Sequence, residues 1–226
     1  MKYPLLLFCL FSLTISTFAQ DIETRGLQDF TEVHTSEGIE VILLKGRSHT
    51  ARVEVQGCDL DDVETEVSGN TLDIGMRDRK RFRNIDVKVY VTYVELTELQ
   101  ASSAGEISAK EVIESNELVV SASSAGEINI KIQVNELDAQ ASSAGEINID
   151  GEAVNVRASA SSAGEFNGYD LVAEEALVSA SSAGDVYVHA TDALRARASS
   201  GGDVRYKGRP VKQDIKSSSG GSVSGM

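Results

Sequence analysis

A chain of 226 residues with a formal net charge of −14 and 41 % apolar residues holds enough apolar material for an ordered core, and its charge repels nucleic acid and anionic lipid. Nucleic-acid binding is therefore set aside. The two cysteines limit the redox chemistry too, because one of them lies in a segment expected to be removed.

That segment is residues 1–19. Lys2, an apolar run from Leu5 to Ile15 and Thr17-Phe18-Ala19 form the charged, apolar and small-residue regions of a secretory signal peptide. The run is shorter than the ~20 residues that cross a bilayer, and no other stretch approaches that length, so no transmembrane segment is expected. Leu6-Leu7-Phe8 lacks the small residues that precede a lipid-modified cysteine such as Cys9 would be. Removing the signal takes one lysine, no acid and Cys9, which brings the charge from −14 to −15 and leaves Cys58 alone, so no internal disulfide can form. Export of the mature chain is therefore expected.

Residues 20–100 read as an amino-terminal β region. "FTEVHTSEGIEVILLKG", "HTARVEVQG", "ETEVSGNTLDIGM" and "IDVKVYVTYVEL" alternate apolar and polar residues between Gly, Asn or charged turns, and "SGNT" is a hairpin turn. Cys58, beside the strand end "VEVQG", reads as a small apolar filler rather than a nucleophile, having no neighbouring His. "MRDRKRFRN" sets five basic residues, Arg77 to Arg83, around Phe82 and reads as a solvated hairpin loop that could contact an anion or an acidic face of another copy.

From residue 101 the chain repeats. Copies of "ASSAGEI" start at Ala101, Ala122, Ala141, Ala160, Ala180, Ala198 and Ser217, in steps of 21, 19, 19, 20, 18 and 19 residues; the last two drift to "ASSGGDV" and "SSSGGSV". A nearly constant period means a solenoid, and drift is expected of terminal coils. The period-two alternation inside each copy makes it β. Leu99, Val120, Ala139, Ala158, Val178, Ala196 and Ile215 should point inward, as should the column Ile107, Ile128, Ile147, Phe166, Val186, Val204 and Val223. The small residues of "SSAG" suit a sharp corner in which Gly supplies torsional freedom and Ser hydroxyls bond the backbone. The fold class is thus all-β, a parallel β-helix of about seven coils over residues 101–226, roughly 30 Å long at ~4.8 Å per coil. The amino-terminal region continues into it or caps it against edge-to-edge aggregation. Pro210 is the sole proline after the signal, so one continuous body is expected.

The order of these segments, from "FTEVHTSEGIEVILLKG" through "VKVYVTYVELTELQASSAGEI" to the small-residue corners, resembles the GIN-domain family of auto-transporter adhesin heads found in exported Bacteroidetes proteins, over about Leu27 to Val223. The resemblance implies a right-handed β-helix-like fold, export to the periplasm or cell surface, and adhesion, and supplies no catalytic residue. The family's corners are commonly Ser-Gly-rich where this chain has "ASSAGE".

The candidate site is the outward column Glu106, Glu127, Glu146, Glu165, Asp185 and Asp203. In register, its carboxylates would stack at ~4.8 Å, and like charges opposite one another on strands are destabilising. A divalent cation such as Ca²⁺ could offset this, or the column is a solubilising face relieved by solvent and salt. The spacing also approaches the ~5–5.5 Å of a retaining glycosidase pair, yet a ladder makes neighbouring acids alike where catalysis needs them different. Breaks in a repeat are better places for chemistry: "NGYD" at 167–170, and Arg195, Arg197 and Arg205 near Asp203, the best case for a polysaccharide lyase. The corner serines lack a general base, since His34, His49 and His189 are scattered, and His189 reads as an exposed strand end. Tyr90, Tyr93, Tyr169, Tyr187 and Tyr206 give no evident platform for a sugar. Three readings follow: a non-enzymatic adhesin-like surface or periplasmic module for protein or glycan, a self-associating structural envelope protein, or a polysaccharide lyase or hydrolase.

Overall fold

Each "SSAG" makes the same corner, and that corner sets the fold. The computed structural model describes residues 21–77 and 84–226; the expected signal segment and most of the basic loop lie outside the described residues. At the third corner Ser143 and Ala144 take left-handed torsions, φ 50° and 59°, and the Gly145 N–H donates to Ser142 O at 2.8 Å. The Ala144 N–H donates to Ser162 O of the next corner at 3.2 Å, so successive corners are tied by main chain rather than by serine hydroxyls. Gly145 itself is not left-handed. A Cβ there would stand 2.4 Å from Ala122 O of the preceding coil, so stacking distance, not torsional freedom, demands glycine. The two drifted copies put Gly201 and Gly220 at the second left-handed position, with φ 74° and 76°.

In chain order the strands are β1 (Asp21–Gly26), β2 (Glu32–Thr35), β3 (Glu40–Lys45), β4 (Thr50–Gln56), β5 (Val63–Ser68), β6 (Thr71–Met76), β7 (Asp86–Tyr93), β8 (Glu98–Ala101), β9 (Glu106–Ala109), β10 (Ile113–Ala122), β11 (Glu127–Ala141), β12 (Glu146–Ala160), β13 (Glu165–Ala180), β14 (Asp185–Ala198), β15 (Asp203–Lys207), β16 (Lys212–Ser217) and β17 (Ser222–Gly225), with one 3₁₀ turn at Leu60–Asp62. Strands β8 to β17 form a parallel solenoid of the expected kind, β11 pairing with β12 residue for residue from Glu127↔Glu146 to Ala141↔Ala160. The amino-terminal strands do two things. β2 and β3 form a coil with their own corner, Thr35 to Ile39, in which Glu37 and Gly38 are left-handed and the Gly38 N–H donates to Ser103 O at 3.1 Å. This coil is stacked in register between β8–β9 on one side and β6–β7 on the other. Beyond it β4, β1 and β5 turn antiparallel, β5 and β6 joined by the Ser68–Thr71 hairpin, so the solenoid's first edge is covered by strands of opposite sense.

One apolar core runs from Phe30 to Val204 through the coils, with Ile107, Ile128, Ile147, Phe166, Val186 and Val204 fully buried. It thins in the last coil, where Ile215 is 39 % exposed. The register shifts around one stretch of β13, and again between β13 and β14 where Ala173↔Ala190 is followed by Glu175↔Ala193. The step of twenty residues places an extra residue in β13, so β12 pairs with it at Asn148↔Asn167 and next at Gly151↔Leu171, and β14 pairs at Gly168↔Val188 and next at Val172↔His189. Tyr169 to Leu171 therefore form a bulge, a device that re-aims a side chain away from the regular ladder.

Candidate acidic ladder and tyrosine–arginine patch

The acids after each corner do stack. β3, β9 and β11 to β15 set Glu40, Glu106, Glu127, Glu146, Glu165, Asp185 and Asp203 opposite one another in consecutive register. Glu40 is a member that the repeat alignment missed; the signal was "TSEGIEV", whose acid and apolar residue follow Thr35 at the spacing at which they follow the first Ala of the later corners, with the Gly one place earlier. The column carries its own counter-groups. Lys88 Nζ lies 2.6 Å from Glu40 at one end, and Arg205 lies 2.9 Å from Asp203 at the other. Between them a column of amides stands two residues along each strand: Asn129 donates to Glu127 at 2.7 Å, Asn148 donates to Glu146 at 2.8 Å and to Asn129 at 3.0 Å.

This bracing is uneven. Burial first, then the charges of Glu146 and Asp185, raise the Glu165 carboxyl above its ordinary value of 4.5. Burial, then Glu127 and Glu40, do the same to Glu106, and Lys88 opposes them. A carboxyl raised in the folded state binds its proton more tightly there than in the unfolded chain. Its stabilising contribution is complete below 4.5 and is lost as pH climbs through the raised folded value. The ladder thus costs stability at neutral pH. Asn167 leaves Glu165 unbonded, accepting instead from the Tyr169 N–H at 3.4 Å. Glu165→Gln, which removes one charge between two others, is expected to stabilise by about 0.2–1 kcal/mol. In thermal melts that is up to about 3 °C at pH 7. The gain should shrink at pH 4, and equal gains at both pH values would rule out charge repulsion as its source.

Where the amide column ends, another group begins. Asn167 is followed in register by Tyr187 and then Arg205. The bulge brings Tyr169 beside Tyr187, ring centroids 5.0 Å apart and tilted by 55°. The Arg205 guanidinium lies 5.5 Å from the Tyr187 ring, and Lys207 Nζ lies 5.7 Å from the Tyr169 ring and 3.1 Å from Asp170. His189, expected as an exposed strand end, is half-buried in β14; burial and then the Lys207 charge lower its pKa, with Asp170 opposing. Sequence distance hid this patch: its tyrosines are eighteen residues apart, and only the "NGYD" break hinted at it.

The other candidates separate. Arg195 and Arg197 sit on the segment of β14 that pairs with β16, where they bind Asp214 at 3.4 and 2.7 Å, while Arg205 binds Asp203, so the three arginines share no site. The ladder acids stand in one stacked column and differ in their amide and cationic partners. His49 lies 3.0 Å from Asp29 and packs on Phe30. Cys58 packs against the core, and burial followed by the charges of Asp62 and Asp59 raises its pKa, which keeps it a thiol. No helix among the described residues is long and apolar enough to cross a membrane.

Solved structures share this architecture. A "putative adhesin" of Bacteroides fragilis NCTC 9343 superposes with a TM-score of 0.82 at 16 % identity, over 93 % of this chain and 98 % of its own. One from Parabacteroides merdae ATCC 43184 gives 0.70 at 17 %, over 92 % and 96 %. A "putative lipid binding protein" of Parabacteroides distasonis ATCC 8503 gives 0.67 at 21 %, over 92 % and 96 %. At such identities the likeness concerns the fold alone. No curated protein matches the sequence. Residues 29–210 match the family described as "Putative auto-transporter adhesin, head GIN domain", and the chain belongs to that family.

Proposed function

We propose that the chain is an exported, non-enzymatic binding module, adhesin-like in action, which meets protein or glycan partners at the periplasm or cell surface through the patch of Tyr169, Tyr187, Arg205 and Lys207. The observation that carries this reading is the convergence of two tyrosine rings and two cations where the amide column gives way. Tyrosine and arginine are the side chains that most often dominate contact energy, because they present large rigid area with hydrogen-bonding tips. The acidic ladder keeps the rest of that face hydrated and discourages sheet-on-sheet stacking between copies. Family membership supports adhesion rather than chemistry, and the separation of Arg195 and Arg197 from Arg205 removes the cluster on which lyase action would rest.

The test is binding of the mature chain to a glycan array and to whole cells, with Tyr187→Ala and Arg205→Ala alongside. Loss of a central anchor costs about 2 kcal/mol or more, roughly thirtyfold in affinity. Retained binding by both variants would displace the site from this patch. No binding, together with concentration-dependent assembly in sedimentation, would favour the structural envelope role instead.

A further inference from the structure

On the sheet that precedes the corners, the outward side chains of β6, β2 and β8 gather a different donor set. Glu32 stands in register between Thr71 and Glu98, and His34, two residues on, between Asp73 and Gln100. His34 Nε2 is 3.4 Å from Glu98 Oε1, and His34 Nδ1 is 3.5 Å from Asp73 Oδ1. Glu32 accepts a hydrogen bond from the Thr71 hydroxyl, which fixes one of its oxygens. One ligand atom each of Glu32, His34 and Glu98 lie within 4.8 Å of one another, all three residues half-buried. Nε2 is shielded from solvent and makes no hydrogen bond among the described residues.

We infer that Glu32, His34 and Glu98 bind a first-row divalent cation, of which Zn²⁺ is the best fit. Two carboxylates face each other on adjacent strands, an arrangement that is destabilising without a cation between them. Unlike the braced ladder acids, neither Glu32 nor Glu98 has a lysine, arginine or asparagine partner among the described residues; the charge-bearing neighbour is the imidazole. Asp73 on Nδ1 is the outer carboxylate of a carboxylate–histidine–metal arrangement. At 3.5 Å from Nδ1 it is placed to take up the N–H there once a metal occupies Nε2. One nitrogen and two oxygens suit zinc, whereas calcium takes oxygen alone. Bond lengths of about 2.0–2.2 Å require the ligand atoms to close from their present spread, which small rotations of two surface glutamates accomplish. Glu66, opposite Asp73 on β5, makes the surroundings still more attractive to a cation. Three protein ligands leave a fourth position for water or a donor from a partner.

The sequence held a weak signal, the alternation Glu32-Val33-His34 that puts an acid and an imidazole on one face; the third ligand comes from sixty-four residues away and only the stacked register reveals it.

The experiment is isothermal titration of the tag-free, chelator-stripped mature chain with Zn²⁺ alone and, separately, Ca²⁺ alone, with melting midpoints measured in parallel. The expected result is one equivalent of Zn²⁺, an upward shift of the midpoint, and no matching Ca²⁺ isotherm. His34→Gln and Glu98→Gln should each weaken Zn²⁺ binding at least tenfold. Asp73→Asn, acting through the imidazole, should weaken it about tenfold while keeping the stoichiometry. Circular dichroism matching the wild type keeps the variants interpretable, and the two glutamine variants check one another. No Zn²⁺ heat or midpoint shift at 1 mM, binding undiminished in both glutamine variants, or Ca²⁺ binding as tight as Zn²⁺ would each overturn the assignment. Zn²⁺ binding that survives Tyr187→Ala separates this site from the proposed binding patch.

Discussion

Gly145→Ala is expected to destabilise the protein by about 3 kcal/mol, the upper range for forcing atoms into a packed site. Its neighbour's Ala144→Gly is expected to stabilise it by about 0.5–1 kcal/mol. The two substitutions are the reverse of one another and both favour glycine, but different constraints are responsible. At Gly145 the torsions suit any residue, and alanine would gain a little by restricting the unfolded chain. The new Cβ, however, would stand 2.4 Å from a carbonyl oxygen and 2.5 Å from its carbon in the coil below, both main-chain atoms with nowhere to go. At Ala144, exposed with φ 59°, the existing Cβ already strains a left-handed torsion, at about 1–2 kcal/mol. Glycine relieves that and gives back part of the gain as unfolded-chain entropy. Urea titrations read both, as shifts of midpoint at constant slope. A destabilising Ala144→Gly would show that the left-handed corner is not strained. The corners with Gly201 and Gly220 already carry the relieved form, so what reads as drift at the end of the repeat is the same corner with its strain removed.

Phe166→Ala should cost about 3–5 kcal/mol, the usual loss for a fully buried aromatic ring. The informative comparison is a repair. Phe166 occupies the column of Ile128 and Ile147, and two residues on, where those coils have Ile130 and Ile149, this coil has Gly168. A Cβ on Gly168 would come 2.8 Å from the Phe166 ring, so the large and the small residue share one volume. Phe166→Ile alone should leave a void beside Gly168, and Gly168→Val alone should overpack. The double variant places β-branched residues at both positions, as the neighbouring coil does with Val186 and Val188, and should cost less than about 1.5 kcal/mol. Additive losses in the double-mutant cycle would disprove the shared volume.

What the sequence made legible follows from stacking in register. Because each coil places like on like, Ile128 over Ile147 and Glu127 over Glu146, identity at a fixed interval is the structure written out, and both the buried column and the acidic ladder could be found by alignment. Other features depend on physics that a one-letter pattern does not carry. The motif glycine signals smallness without saying whether torsion or contact demands it. The coil of β2 and β3 keeps the corner but shares few letters with it, and its neighbours in space are not its neighbours in the chain. The tyrosine pair exists because one inserted residue becomes a bulge, which the sequence shows as the "NGYD" break and a step of twenty followed by one of eighteen. Arg195 and Arg205 seemed close because they are close in sequence, yet the coil bends between them. Asn129 and Asn148 lie beside the acids in every reading of the repeat, but that they brace them is a matter of side-chain geometry.

The uninterrupted register between β11 and β12 makes the molecule's length countable. Excising residues 142–160 would join Ala141 to Ser161, bring Glu127 opposite Glu165 and Ile128 opposite Phe166, and seat Gly164 on Ala122 instead of Ala141. The shortened stack closes over the gap with pairings of the same kind as those the excised coil made. Whole coils are therefore units of length, each worth ~4.8 Å of reach, that can be removed between the antiparallel strands covering one end and the tyrosine–arginine patch on β13 to β15 without changing either.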